Sequence, residues 1–237
     1  MNSLPFSSTK PAPRRALIVA FSAVVAVSGM ALAQEKAKPA PAKPAAPAAA
    51  PAADAAQKYK TNVKGPANAP IKVVEFADFM CGGCQAASGA LRSFFAQQGD
   101  DINLTFKNFP LEKTCNPGIG QTIHTGACEL ALGAICASEL QMFWPYHDRI
   151  FSRAWQVATR QDVVDAGVAV GMNKAKFEAC LASPGANSKL ALEIKEAFEI
   201  KVEVTPTLVV NGKKLQATNQ FLSAVEEERK KLAAAKK

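Results

Sequence analysis

The residues that most constrain what this chain can fold into run from Ile71 to Cys84, IKVVEFADFMCGGC. Ile71 to Ala77 is a nearly continuous apolar stretch with β-branched residues, bounded upstream by Gly65-Pro66 and Pro70. It predicts a buried central strand. After Cys84 the run QAASGALRSFFAQQG sets Leu91, Phe94 and Phe95 at helical spacing and stops at Gly99, so a helix opens at the Cys-x-x-Cys itself. Ile102 to Phe109, INLTFKNF, alternates and ends at Pro110, which predicts the next strand. Strand, helix and strand within about forty residues make a βαβ unit, the building block of an α/β domain.

A strand that delivers two cysteines to the start of a helix supplies what redox chemistry needs. The free N–H groups and the positive dipole end of the helix stabilise a thiolate at Cys81, lowering its pKa from about 8.5 toward ambient pH. Cys81 is therefore the expected nucleophile, and Cys84, one turn in and more shielded, the sulfur that resolves a mixed disulfide. Gly82 and Gly83 carry no side chain that could donate to Cys81, so less thiolate stabilisation is expected than from a His in that place. A purely structural disulfide is the bland alternative. Half a zinc site is another, but no second Cys-x-x-Cys follows at ribbon spacing.

Farther along, Ala127 to Gln141, Phe143 to Phe151, Gln161 to Val170, Ala175 to Leu181 and Lys189 to Ile200 show helical periodicity, broken at Gly171 and at Ser183-Pro184-Gly185. The β signal then returns. Thr207 to Val210 is a short apolar strand, Asn211-Gly212 a two-residue hairpin turn, and Lys213 to Gln216 the return strand. A last amphipathic helix starts near Asn219. Val204-Thr205-Pro206-Thr207 places an X-Pro bond directly before a strand, which invites a cis peptide that turns the Thr205 backbone toward a substrate; a trans proline merely starting the strand is the other reading.

The first quarter of the chain does not read as foldable material. Lys10, Arg14 and Arg15 precede an apolar run from Ala16 to Val27 and the small-residue pattern Ala31-Leu32-Ala33. That is the layout of a secretory signal peptide, residues 1–33, cleaved after Ala33, with an uncleaved membrane anchor as the alternative. Residues 34–60 are nearly all Ala, Pro and Lys and predict a semi-rigid spacer. The domain is expected over residues 61–237, in a periplasmic or otherwise exported location. Of the net charge of +8, three units come from Lys10, Arg14 and Arg15 and three more from five Lys of the spacer against Glu35 and Asp54, leaving +2 for the domain. A nucleic-acid partner is not indicated, since basic residues do not cluster among aromatics.

All six cysteines lie in the domain, an even count that suits disulfides in an oxidising compartment. Cys115 and Cys128, with Gly118 and Gly120 between them, are expected to form one structural disulfide; Cys136 and Cys180 either form a second or stay as buried free thiols. His124 and Cys128 are four apart, but a pair without a third ligand does not predict a metal site. His147 reads as a helix-packing residue. Phe79 and Met80 are expected to form an apolar rim for unfolded substrates, although Met80 suits a core equally well. Glu75 and Asp78 flank the strand end.

Several segments together carry a resemblance: VEFADFMCGGC, KNFPLEKTCNP, FWPYHDRIF, FEACLAS and VTPTLVVNG. In this order they resemble the DsbA-like branch of the thioredoxin superfamily, and within it the exported domains related to the thioredoxin-like part fused to bacterial vitamin K epoxide reductase homologues. The likeness spans about Asn62 to Glu228. It implies an α/β thioredoxin fold with a helical insertion between its βαβ and ββα halves, a redox pair at Cys81 and Cys84, and a cis-Pro206 beside them. Thr205, Pro206 and Met80 would contact substrate. In this superfamily a buried carboxylate near the second cysteine assists proton transfer, and Glu75 is the candidate; a solvated strand-edge carboxylate is the other reading of that residue, since its face of the strand cannot be read from the sequence. The implied activity is a protein-disulfide oxidoreductase, an oxidase or oxidase/isomerase, that needs no cofactor beyond its own sulfurs. Its partners would be exported proteins with thiols or disulfides and a separate membrane redox protein for recycling. Relatives usually carry a bulky residue and often His between the cysteines, whereas this chain has Gly82-Gly83; Thr205 is similar to the isomerase branch. A non-catalytic metal-carrier or chaperone-like binding module of the same fold is the rival reading.

Overall fold

The computed structural model describes residues 61–236; the expected signal segment, 1–33, and the spacer, 34–60, lie outside the described residues. Five strands, β1 (Val63–Lys64), β2 (Ile71–Ala77), β3 (Ile102–Asn108), β4 (Thr207–Val210) and β5 (Lys213–Lys214), form one sheet in the order β1-β3-β2-β4-β5. β2 runs parallel to β3, joined by helix α1 (Gly82–Gln98), and antiparallel to β4. The apolar run therefore does become a central strand. Covered on both faces, it exposes only Lys72 fully.

Between β3 and β4 the chain forms α2 (Ala127–Glu139), α3 (Phe143–Phe151), α4 (Arg160–Ala169), α5 (Lys174–Leu181) and α6 (Pro184–Glu199). α2 is buried along nearly its whole length because it is Ala-rich and apolar all round, with charged groups only near its ends. Gly133 on α2 leaves room for Tyr146 of α3, whose hydroxyl donates to the Leu130 carbonyl; a Cβ at 133 would sit 2.1 Å from that oxygen. The chain closes with β4, β5 and α7 (Phe221–Ala234), preceded by one 3-10 turn, Thr218–Gln220. A βαβ half, a helical insertion and a ββα half are the arrangement implied by the resemblance.

Three boundaries differ from the sequence reading. α6 starts at Pro184, five residues earlier than periodicity gave, because Ser183 caps it by accepting from the Ala186 N–H and Pro184 fits the first helical position, where no N–H is needed. Ser183-Pro184-Gly185 is thus a start signal. The return strand after Asn211-Gly212 has two residues rather than four, since Leu215 turns inward and Gln216 bonds to the Gln220 side chain. β1, too short to show a period, escaped notice; it pairs antiparallel with β3. The turn itself is as expected, with positive φ at both Asn211 and Gly212.

Two disulfides, Cys115–Cys128 and Cys136–Cys180, hold the insertion. The second bond joins α2 to α5, so the free-thiol alternative for that pair does not hold.

Candidate active site

β2 ends at Ala77, four residues turn the chain, and Cys81 stands as the N-terminal cap of α1 with extended backbone angles. The turn is held by Asp78, whose carbonyl accepts from the Cys81 N–H and whose carboxylate accepts from the Met80 N–H at 2.7 Å. Cys81 and Cys84 are free thiols, the first half-buried and the second with no exposed surface. The Asp78 N–H points at Cys84 Sγ, 3.4 Å away.

The Cys81 sulfur is acidic, with its pKa held down to about 5. The largest cause is the hydrogen bond from the Cys84 thiol; burial works against it, and the Thr205 contact and the N–H groups of Cys84 and Gly83 lower it further. Burial, and after it the same hydrogen bond and the charge of Cys81, push Cys84 far up, so the resolving sulfur keeps its proton. With Gly82-Gly83 between the cysteines, part of the Cys81 stabilisation comes from backbone N–H groups at the helix start, which need no side chain.

Thr205 and Pro206 are brought to the pair across 124 positions of sequence: the Thr205 carbonyl oxygen lies 3.4 Å from Cys81 Sγ, and the bond between Thr205 and Pro206 is cis. A Cβ on Gly83 would lie 3.2 Å from Pro206 Cδ and 3.6 Å from Cys81 Sγ, whereas one on Gly82 would meet nothing within 4 Å. The two glycines are therefore not equivalent.

Glu75 sits on β2 with 1 % of its surface exposed, and burial raises its pKa to about 8. Its charge acts on Cys84. Glu75 is therefore not a solvated strand-edge carboxylate, the other reading of that residue from the sequence. Asp78 is buried as well: its Oδ2 accepts from the Leu111 N–H and lies 2.9 Å from His124 Nδ1. The His124 and Cys128 spacing is thereby accounted for without a metal, one residue bonded to Asp78 and the other locked in a disulfide. Sequence reasoning missed the Asp78–His124 pair; a charged residue set in an otherwise apolar strand end was the one available signal.

Met80 is only 9 % exposed and belongs to the core, and Phe79 is stacked on Phe106 with ring centroids 5.2 Å apart. Neither forms the expected rim, because the turn held by Asp78 directs both side chains inward. The exposed apolar side chains on segments that meet the site are Val204, next to Thr205, and Ile123, next to His124, each 65 % exposed.

The sequence model of the DSBA-like thioredoxin domain matches residues 72–228, two thirds of the chain, from β2 into α7. The chain belongs to that family. This DSBA-like domain resembles, at 18 % identity and a TM-score of 0.60, a thioredoxin-like oxidoreductase from Silicibacter pomeroyi, over 75 % of this chain and 98 % of that one. It also resembles oxidised BdbD from Bacillus subtilis at 19 % identity and a TM-score of 0.59, over 72 % of this chain and 94 % of that one, and DsbA from Xylella fastidiosa at 17 % and 0.56, over 75 % and 94 %. These likenesses establish the fold. In sequence, the DSBA-like domain is 26 % identical over 157 residues to the Na(+)/H(+) antiporter NhaA of Herminiimonas arsenicoxydans, covering 66 % of this chain and 23 % of that protein, and 27 % identical over 157 residues to NhaA 1 of Mycolicibacterium gilvum, covering 65 % and 24 %. The chain thus spans about a quarter of the length of these curated relatives. No helix among the described residues is long and apolar enough to cross a membrane.

Proposed function

We propose that this protein is an exported thiol:disulfide oxidoreductase that exchanges disulfides with secreted proteins through Cys81 and Cys84, working as an oxidase. The observation that carries the reading is the asymmetry of the pair, an acidic half-exposed Cys81 above a buried protonated Cys84. In the oxidised enzyme a substrate thiolate attacks Cys81 Sγ, the bond between the two cysteines breaks, and Cys84 leaves with the electron pair and takes a proton from Glu75. A second substrate thiolate then attacks the substrate sulfur of the mixed disulfide. A substrate disulfide forms and Cys81 departs as a thiolate. The substrate loses two electrons and the pair gains them.

The direction follows from the thiolate. A group that stabilises reduced Cys81 makes the disulfide form a better oxidant, since the equilibrium shifts toward the reduced pair. Thr205 and Pro206 supply backbone beside Cys81 for an extended substrate, and Val204 and Ile123 replace Phe79 and Met80 as its apolar rest. A separate membrane protein would reoxidise the pair. The sequence pattern of residues 1–33, basic residues before an apolar run and Ala31-Leu32-Ala33, supports an exported location.

A glutathione redox titration of Cys81 and Cys84 tests the direction. A potential near about −120 mV is expected; one near about −270 mV would make the protein a reductant.

A further inference from the structure

The main chain of Asp78 bonds to both redox cysteines: its N–H points at Cys84 Sγ, 3.4 Å away, and its carbonyl accepts from the Cys81 N–H at 3.1 Å. The aim of that N–H is set by the side chain of the same residue. Its carboxylate has no exposed surface and gathers three donors, the Met80 N–H on Oδ1 and the Leu111 N–H and His124 Nδ1 on Oδ2. The Met80 bond alone would close the turn, and a short acceptor such as Ser or Asn can make it. A carboxylate is costly to bury, and its second oxygen reaches only the segment that carries Leu111 and His124.

That segment holds the imidazole in place. The Leu111 carbonyl accepts from the His124 N–H at 3.2 Å, while the Leu111 N–H and His124 Nδ1 meet at the same Asp78 oxygen, so three residues close a ring of hydrogen bonds. On the far side Glu112 Oε2 accepts from the N–H groups of Gly126 and Cys128, the Cys115–Cys128 disulfide closes the loop, and the Thr125 carbonyl accepts from the Ala158 N–H. Asp78 favours the protonated imidazole, which makes the bond between them charge-assisted and stronger than a neutral one. Ile123, the exposed apolar residue next to His124, donates its own N–H to the same Leu111 carbonyl. The apolar rest for substrate and the turn of the cysteines thus share one anchor.

We propose that His124 is a positioning residue for Cys84: by holding the Asp78 carboxylate it keeps the Asp78 N–H aimed at the Cys84 sulfur, where charge develops when that sulfur leaves. This role rests on the exchange reading above. In that step a substrate thiolate bonds to Cys81 Sγ, the bond between the two cysteines breaks, and Cys84 takes the electron pair, followed by the proton from Glu75. A fixed N–H donor aimed at the developing charge lowers the barrier, and a displacement of about 1 Å is enough to lose much of the effect.

The test mixes oxidised protein with reduced glutathione, quenches in acid at set times, and counts the mixed disulfide at Cys81 by mass spectrometry. His124→Leu fills the same space without a donor and is expected to slow this reaction about tenfold. His124→Asn, whose amide can stand where the Nδ1–H stands, is expected to restore the rate to within about threefold of the wild type. In a Cys84→Ala protein, reduced Cys81 still attacks oxidised glutathione and expels one glutathione thiolate; there His124→Leu is expected to change the rate less than about twofold, because no Cys84 sulfur is left to be served. Should His124→Leu not fold, Asp78→Asn, which keeps an oxygen for Met80 and removes the second one, decides by the same two reactions. With Cys84 present, rates within about twofold of the wild type in the folded variant overturn the proposal, as does equal slowing with and without Cys84, or a His124→Asn protein as slow as His124→Leu. A wild-type protein that forms no mixed disulfide sinks the exchange reading itself, and this role with it.

Discussion

His124 Nδ1 lies 2.9 Å from Oδ2 of Asp78, a carboxylate with no exposed side-chain surface, and the pair joins the turn that carries Cys81 to the segment that carries the Cys115–Cys128 disulfide. Asp78 also accepts from the N–H groups of Met80 and Leu111, so one buried side chain ties three stretches of chain together. Asp78→Ala would strand two N–H donors and the imidazole. A loss of about 3 kcal/mol, or roughly 6–12 °C in Tm for a domain of this size, is expected in thermal unfolding.

The same pair gives a pH dependence with a definite sign. The Asp78 carboxylate raises the pKa of His124 above its ordinary value in the folded protein. The folded state therefore holds the proton more tightly than the unfolded one. The stabilisation is complete below about pH 6.5 and is lost as the pH climbs through the raised value. In urea unfolding, His124→Gln should reduce stability at pH 6 more than at pH 9; an equal loss at both would disprove the ion pair.

Glu75 trades stability for chemistry. Its folded pKa of about 8 lies well above the unfolded value, so the folded state resists ionisation and stability falls as the pH rises from about 4.5 toward 8. Glu75→Gln removes this penalty and should stabilise the protein at pH 7 by about 3 kcal/mol while slowing the resolution step. A variant that is less stable at pH 7 would refute the assignment.

Cys81 should react with iodoacetamide at half its maximal rate near pH 5, with Cys84 untouched in the folded protein. Mass spectrometry of the labelled, gently reduced protein reads both. Gly82→Ala should leave this profile in place and add up to about 1 kcal/mol of stability by restricting the unfolded chain. Gly83→Ala, whose methyl would press on Pro206 and come into contact with the Cys81 sulfur, should slow glutathione exchange.

The two disulfides should differ in worth with the length of chain they close, 44 positions for Cys136–Cys180 against 13 for Cys115–Cys128. Loop-closure entropy gives about 4 and about 3 kcal/mol respectively. Double substitution to Ala, followed by denaturant unfolding, is expected to reproduce that order while Cys81 labelling persists.

What the sequence by itself determined is what periodicity and local chemistry encode: a buried strand running into two cysteines at a helix start, the parallel βαβ unit, the Asn211-Gly212 hairpin and the helical stretch between the two halves. Such signals depend on residues within one or two turns of each other, so no partner need be known. Glu75 shows the limit. A continuously apolar strand has no alternation from which to read the face of an acidic residue, and only the packing of α1 and α3 against β2 decided that Glu75 is buried near Cys84. The tertiary structure alone likewise brought His124 to Asp78, turned Phe79 and Met80 inward, and gathered Ser88, His147 and Glu75 around one cavity. Those relations join residues some 13 to 72 positions apart, and they arise from how side chains fill shared space, which leaves no periodic trace along the chain.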